Sequence, residues 1–281
     1  MEVTTGDHDT KESPTLITSR HVECTDCHNP HAANSRTASA PDISGRLEKV
    51  TGMTIGRAAA DPASYEYEIC FKCHAELSQM TPLITRVINN TNTQDTFSII
   101  NPSYHPVAGI GKNHDVPSIP SSLEPSLTAS SIIYCSDCHS DDSGSKGPHG
   151  SSFAPILRER YETTDNTFES YENYALCYRC HDRSSILSDA SFARKILLTT
   201  PSGGGHNGHL TAGVPCSICH DSHGIVDDGL SGSHTHLINF DTSIVSPIAG
   251  NTNPIFEDTG TFSGSCTLVC HGRAHNNESY P

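Results

Sequence analysis

The feature that most constrains this chain is a repeated cluster of cysteine and histidine. All twelve cysteines fall into six close pairs, and each pair is followed at once by histidine: Cys24/Cys27-His28, Cys70/Cys73-His74, Cys135/Cys138-His139, Cys177/Cys180-His181, Cys216/Cys219-His220 and Cys266/Cys270-His271. Five read C-x-x-C-H, and the sixth, CTLVCH, carries one extra residue. With 18 histidines in 281 residues, such placement is not a product of composition.

C-x-x-C-H is the attachment signature of c-type haem. Two thiols add across the two vinyl groups of one porphyrin, giving two thioether bonds. Two intervening residues in a helical turn set the sulfurs at the vinyl separation. The next residue, histidine, then lies beneath the ring and ligates iron through neutral imidazole. The extra residue in CTLVCH is expected to be absorbed as a local bulge. Other chemistries account for less of the pattern. A disulfide framework has no use for histidine after every second cysteine. Structural zinc wants ligand pairs at matched distances, whereas successive motifs here start 46, 65, 42, 39 and 50 residues apart. A thioredoxin-like C-x-x-C would occur once.

The motifs also alternate in kind. Odd ones read CTDCHNPH, CSDCHSDD and CSICHDSH; the second and fourth, EICFKCHAE and ALCYRCHDR, carry an aromatic after the first cysteine. On these residues, over 21–275, the chain resembles the multihaem c-type cytochromes with doubled CxxCH motifs. In haem number, coil content and surplus histidine it is similar to extracellular, filament-forming (nanowire) six-haem cytochromes. The resemblance implies six covalently held haem c groups and electron transport as the function. It also implies redox proteins or extracellular electron acceptors as partners and, for the filament-forming relatives, self-association. A discrete periplasmic carrier and a multihaem oxidoreductase with one open iron remain alternatives. No C-x-x-C-K, the mark of many open sites, occurs, so the expectation is a non-enzyme.

Electron-transfer haems take a sixth ligand, usually His or Met. The chain has only Met1, Met53 and Met80, so bis-histidine ligation is expected. The distal candidates are His21, His31, His105, His149, His209, His223 and His236, one more than six irons need. A histidine three residues past its own motif, as His31 and His223 are, suits a neighbouring iron better than its own. His8, His114 and His275 read as solvated side chains; His206 and His234 lie beside stronger candidates.

Composition agrees with a cofactor-filled interior. Only 34% of residues are hydrophobic and 6% aromatic, with no Trp; adding the 21 Gly brings the fraction to about 41%, against about 45–50% in ordinary domains on a count that includes Gly. The expected fold is therefore mostly irregular coil with short α-helices wrapped around a chain of six haems, and little β. Residues 1–20 form a polar lead. Residues 21–134 hold haems 1 and 2, with a haem-free loop insert over 75–134. Residues 135–208 hold haems 3 and 4 and 209–281 haems 5 and 6, all in one continuous haem-cored domain. Helices are predicted near 64–78 and 184–198.

A net charge of −15 argues against nucleic acid or an anionic membrane face as partner. No run approaches the roughly 18 apolar residues of a membrane span. Haem c is attached outside the cytoplasmic membrane, so the chain is expected to be extracytoplasmic, at the cell surface rather than in the periplasm. MEVTTGDHDT lacks the basic and apolar regions of a signal peptide, which implies a processed or incomplete sequence.

Overall fold

The first, third and fifth motifs each fold as a single helical turn, the second lies within a longer helix and the fourth runs off the end of one, and local chemistry explains the turns. In CTDCH and CSDCH the Asp between the cysteines reaches back to the residue before the turn: Glu23 N–H donates to Asp26 Oδ2 at 2.7 Å and Tyr134 N–H to Asp137 Oδ2 at 2.8 Å. These bonds satisfy N–H groups that a helix start leaves without partners. The motif histidine closes the turn: the backbone N–H groups of His28, His139, His181 and His220 donate to Cys24, Cys135, Cys177 and Cys216 carbonyls at 2.8–2.9 Å. The two cysteines of each pair therefore lie three apart on one helical face.

The computed structural model describes residues 22–75, 82–119, 127–190 and 205–280. Among them the helices are α1 (Cys24–Cys27), α2 (Glu66–His74), α3 (Thr93–Thr96), α4 (Cys135–Cys138), α5 (Ala175–Tyr178), α6 (Arg183–Leu187), α7 (His206–Thr211) and α8 (Cys216–Cys219). The expected helix near 64–78 is α2. The one expected near 184–198 begins as α6, capped by Asp182 accepting from Ser184 and Ser185 N–H, and residues 191–198 lie outside the described residues. No helix among the described residues is long and apolar enough to cross a membrane.

Strands are short except at the C-terminus: β1 (Gly52–Met53), β2 (Ala59–Ala60), β3 (Ser103–Tyr104), β4 (Gly224–Ile225), β5 (Val245–Ser246), β6 (Ile255–Gly260), β7 (Ser263–Cys270) and β8 (Arg273–Tyr280). β1 pairs with β2 and β3 with β4, both antiparallel. β7 is central to the third sheet, with β5 and β6 on one edge and β8 on the other. Short helices in a mostly irregular chain match the expectation; this four-stranded sheet exceeds the little β expected. His271-Gly272 explains part of it. Both residues have positive φ, 49° and 74°, which is the twist a two-residue hairpin turn requires. The sixth motif thus runs along a strand instead of coiling into a helical turn.

The 75–134 insert is less loop-like than its composition suggests. Phe97 and Val107 are buried against Tyr67 and Phe71 of α2, and β3 ties the insert to β4, with Ser103 opposite Ile225. Among the described residues the apolar interior is divided into four small clusters. Each has motif cysteines on its rim: Cys27, Cys135, the Cys177/Cys216 pair, and Cys219 with Cys266 and Cys270.

Candidate haem-binding sites

The thiols of successive motifs are neighbours in space. Cys27, raised by burial and by Cys70, links the first motif to the second. Cys70 is pushed up by a hydrogen bond with Cys135, which links the second to the third. Cys138, pushed up to about 12 by burial and then by Cys180, links the third to the fourth. Cys177 and Cys216 share a hydrogen bond that raises the first and lowers the second. Cys219, raised by burial, feels Cys266 and Cys270 of the sixth motif. The order along the row is the order along the chain. None of the twelve cysteines is paired in a disulfide.

Five histidine pairs face each other among the described residues. Ring centroids are 6.0 Å apart for His28 and His149, 5.9 Å for His139 and His223, and 6.4 Å for His105 and His181. They are 6.0 Å apart for His206 and His220, and 6.5 Å for His209 and His275. An imidazole nitrogen sits about 2 Å from a bound metal, so two rings on opposite faces of one ion have centroids about 6 Å apart. The separations fit an iron between each pair.

Hydrogen bonds set the tautomers. His28 Nδ1 lies 3.0 Å from Arg46 O, His139 Nδ1 3.2 Å from Pro155 O, and His220 Nδ1 2.9 Å from His236 O. His105 Nδ1 lies 2.5 Å from Ser222 O and His209 Nδ1 2.7 Å from Gly205 O. A carbonyl only accepts, so Nδ1 carries the proton and Nε2 the lone pair. His181 Nδ1 pairs with the Ser118 hydroxyl at 2.9 Å. Metal-ligating histidines almost always donate their second nitrogen in this way. Burial lowers His181, His220 and His223 to about 4 and His206 to about 3. It also lowers His74, His105 and His139. Each is neutral at pH 7, the form that binds metal.

Of the expected distal ligands, His105, His149, His209 and His223 stand opposite another histidine. His21 lies outside the described residues. His31 is exposed, its backbone N–H donating to Asn29 Oδ1. His236 instead turns its ring toward Asp258 at 3.3 Å, with Asp115 at 3.8 Å. The backbone here has positive φ at His234, His236 and Leu237, and the His236 carbonyl accepts from His220 Nδ1. Two partners were not anticipated, His206 and His275. His206 and His209 form an H-x-x-H on α7, one helical face apart, a signal that the surrounding glycines obscured. His74, the second motif's histidine, lies among His139 and His223.

The donor set fits haem. A bis-histidine iron takes two protein ligands, the porphyrin supplying four, and the close histidine pairs offer two imidazoles each. Tyr174 adds to the fit: its hydroxyl is buried without a hydrogen-bond partner and lies near Cys216 and Cys177. The sixth motif fits less well. Cys266 and Cys270, four apart on a strand, are about 13 Å apart, roughly twice the 5–6 Å of a helical-turn pair. No family model matches the chain, and no curated protein or solved structure is detectably similar to it.

Proposed function

We propose that this chain is a multihaem c-type cytochrome that conducts electrons along a row of six bis-histidine haems. The observation that carries the reading is the set of facing histidine rings 5.9–6.5 Å apart, set between cysteine pairs that follow one another in space. When bound, haem c supplies a reversible one-electron centre whose potential the protein tunes. The residues do the rest. Cysteines in helical turns present two thiols on one face. Backbone carbonyls hold Nδ1 protons and aim Nε2 inward. Burial keeps His105, His139, His181, His206, His220 and His223 neutral. Bis-histidine ligation gives lower potentials than His/Met ligation. A row of such sites suits extracytoplasmic electron transport better than substrate turnover.

A polymer is favoured over a discrete carrier by an alternation along the row. Motifs 2 and 3 touch through the Cys70–Cys135 hydrogen bond, and motifs 4 and 5 through Cys177–Cys216. Motifs 1 and 2, 3 and 4, and 5 and 6 lie close enough for their cysteines to influence one another through charge. Motif 6 of one copy against motif 1 of the next would continue the pattern. Cys24 of motif 1 is exposed, whereas the other eleven cysteines are partly covered. Electron microscopy of the natively purified, haem-stained protein tests this. Long regular filaments are expected; uniform single-subunit particles at high concentration would make it a discrete carrier.

A further inference from the structure

The fourth site differs in what holds its motif histidine. His28, His105, His139, His209 and His220 each have Nδ1 within hydrogen-bond reach of a backbone carbonyl. For His181 the partner is the Ser118 hydroxyl, 2.9 Å from Nδ1. Ser118 belongs to the 75–134 insert and reaches motif 4 across 63 residues of sequence. It is buried, 3% exposed. Its own carbonyl accepts from Asp182 N–H at 2.9 Å, so the residue next to His181 fixes Ser118 beside the ring.

The lining of this site suits a haem. Cys180 and His181 N–H groups both donate to Cys177 O, at 3.2 and 2.9 Å, so the two cysteines keep helical-turn spacing. His105 faces His181 with ring centroids 6.4 Å apart. The ring planes of this pair cross at 61°, whereas the other four facing pairs lie at 18–39°. Crossed axial imidazoles give a ferric low-spin haem an electron paramagnetic resonance at a larger maximum g value than near-parallel ones. The fourth haem therefore has a signal of its own.

The group on a histidine's second nitrogen controls how much electron density the first gives to a metal. With Nε2 on iron, Nδ1 carries the proton and the hydroxyl accepts it. An alcohol oxygen is a poorer acceptor than an amide carbonyl. The His181 ring is then less electron-rich, stabilises ferric iron less and leaves its haem easier to reduce.

We infer that Ser118 is a positioning residue that acts on the fourth haem through His181, holding it at a higher potential than a backbone carbonyl in the same place would. This rests on the haem reading above and concerns one residue that shapes the potentials along the row.

The test uses the exported, haem-loaded protein. Haems are counted by intact mass, and electron paramagnetic resonance follows each signal through a redox titration. Covalent haem in wild type is the control for the underlying reading; its absence would be a failure of that reading and not of this inference. One haem is expected to give the large-g signal. A haem-loaded wild type without it would overturn the inference, because His105 and His181 would not then share an iron. Ser118→Ala, which removes the acceptor, is expected to raise the midpoint of that signal and leave the others in place. Ser118→Asn, which offers a side-chain carbonyl, is expected to lower it. A merely structural role would not move the two variants in opposite directions. An unmoved midpoint in Ser118→Ala, or conversion of that haem to high spin, would overturn the inference. Should Ser118→Ala yield no holoprotein, Ser118→Asn decides alone: a midpoint at or above the wild-type value would overturn it.

Discussion

At the scale of single residues, the chemistry depends on groups that hold the histidines as much as on the histidines. Arg86 is the clearest case. Its guanidinium is buried and donates to two backbone carbonyls of α8 and its C-cap, Ser217 O at 2.5 Å and His220 O at 2.9 Å, and to Asn239 O on the neighbouring segment at 2.7 Å. A helix end leaves its last carbonyls without partners, and Arg86 supplies them across more than a hundred residues of sequence. Its charge also bears on His220, pulling its pKa down further after burial. A fixed positive charge beside an iron favours the reduced state. Arg86→Met is expected to cost about 3 kcal/mol of stability, given that hydrogen bonds to charged groups contribute about 1.5–3 kcal/mol each and not additively. It is also expected to lower the midpoint potential of one haem among six. Spectroelectrochemical titration checks the second effect; six unchanged potentials would separate Arg86 from the redox centres.

At the scale of elements, one short segment sets several ligands at once. An aromatic ladder runs from Tyr67 through Phe71 to Phe97 and ends on the ring of His223, 5.3 Å from Phe97. The next residue, Gly224, passes so close to the Thr96 carbonyl of α3 that a Cβ would overlap it. The β3–β4 pairing and the bond from His105 N–H to His223 O at 2.9 Å lock the same corner. Gly224→Ala is expected to push β4 off α3 and swing His223 from His139, and so to give a high-spin third haem with the haem count unchanged. Absorbance near the high-spin charge-transfer band would record it, and a fully low-spin variant would show that the corner adapts. Much of this was legible in part. The cysteine pairs and the histidines that follow them could be read from spacing, His209 and His223 drew notice by their place beside the fifth motif, and His105 and His149 were named from the resemblance alone. The strand path of the sixth motif could not, because a hairpin turn of His-Gly depends on backbone twist, which the motif pattern does not encode. His206 was hidden by glycines that resemble a linker, and the left-handed backbone at His236, whose ring lies beside Asp258, is not encoded in the spacing either.

At the scale of the whole molecule, the three sequence units do not fold as separate bodies. His28 of the first faces His149 of the second, His139 of the second faces His223 of the third, and Arg86 joins the insert to the third. With 34% hydrophobic residues and four small apolar clusters, the protein part leaves its interior to the row of cysteine and histidine sites. That arrangement has meaning only if the sites are filled. The measurement that tests this most directly is the intact mass of the denatured, exported protein, with its reduced pyridine haemochrome spectrum. A mass exceeding the polypeptide by six haems, resistant to acid–acetone extraction, is the expected result. A mass equal to the polypeptide alone, or one raised by metal ions without porphyrin, would contradict it.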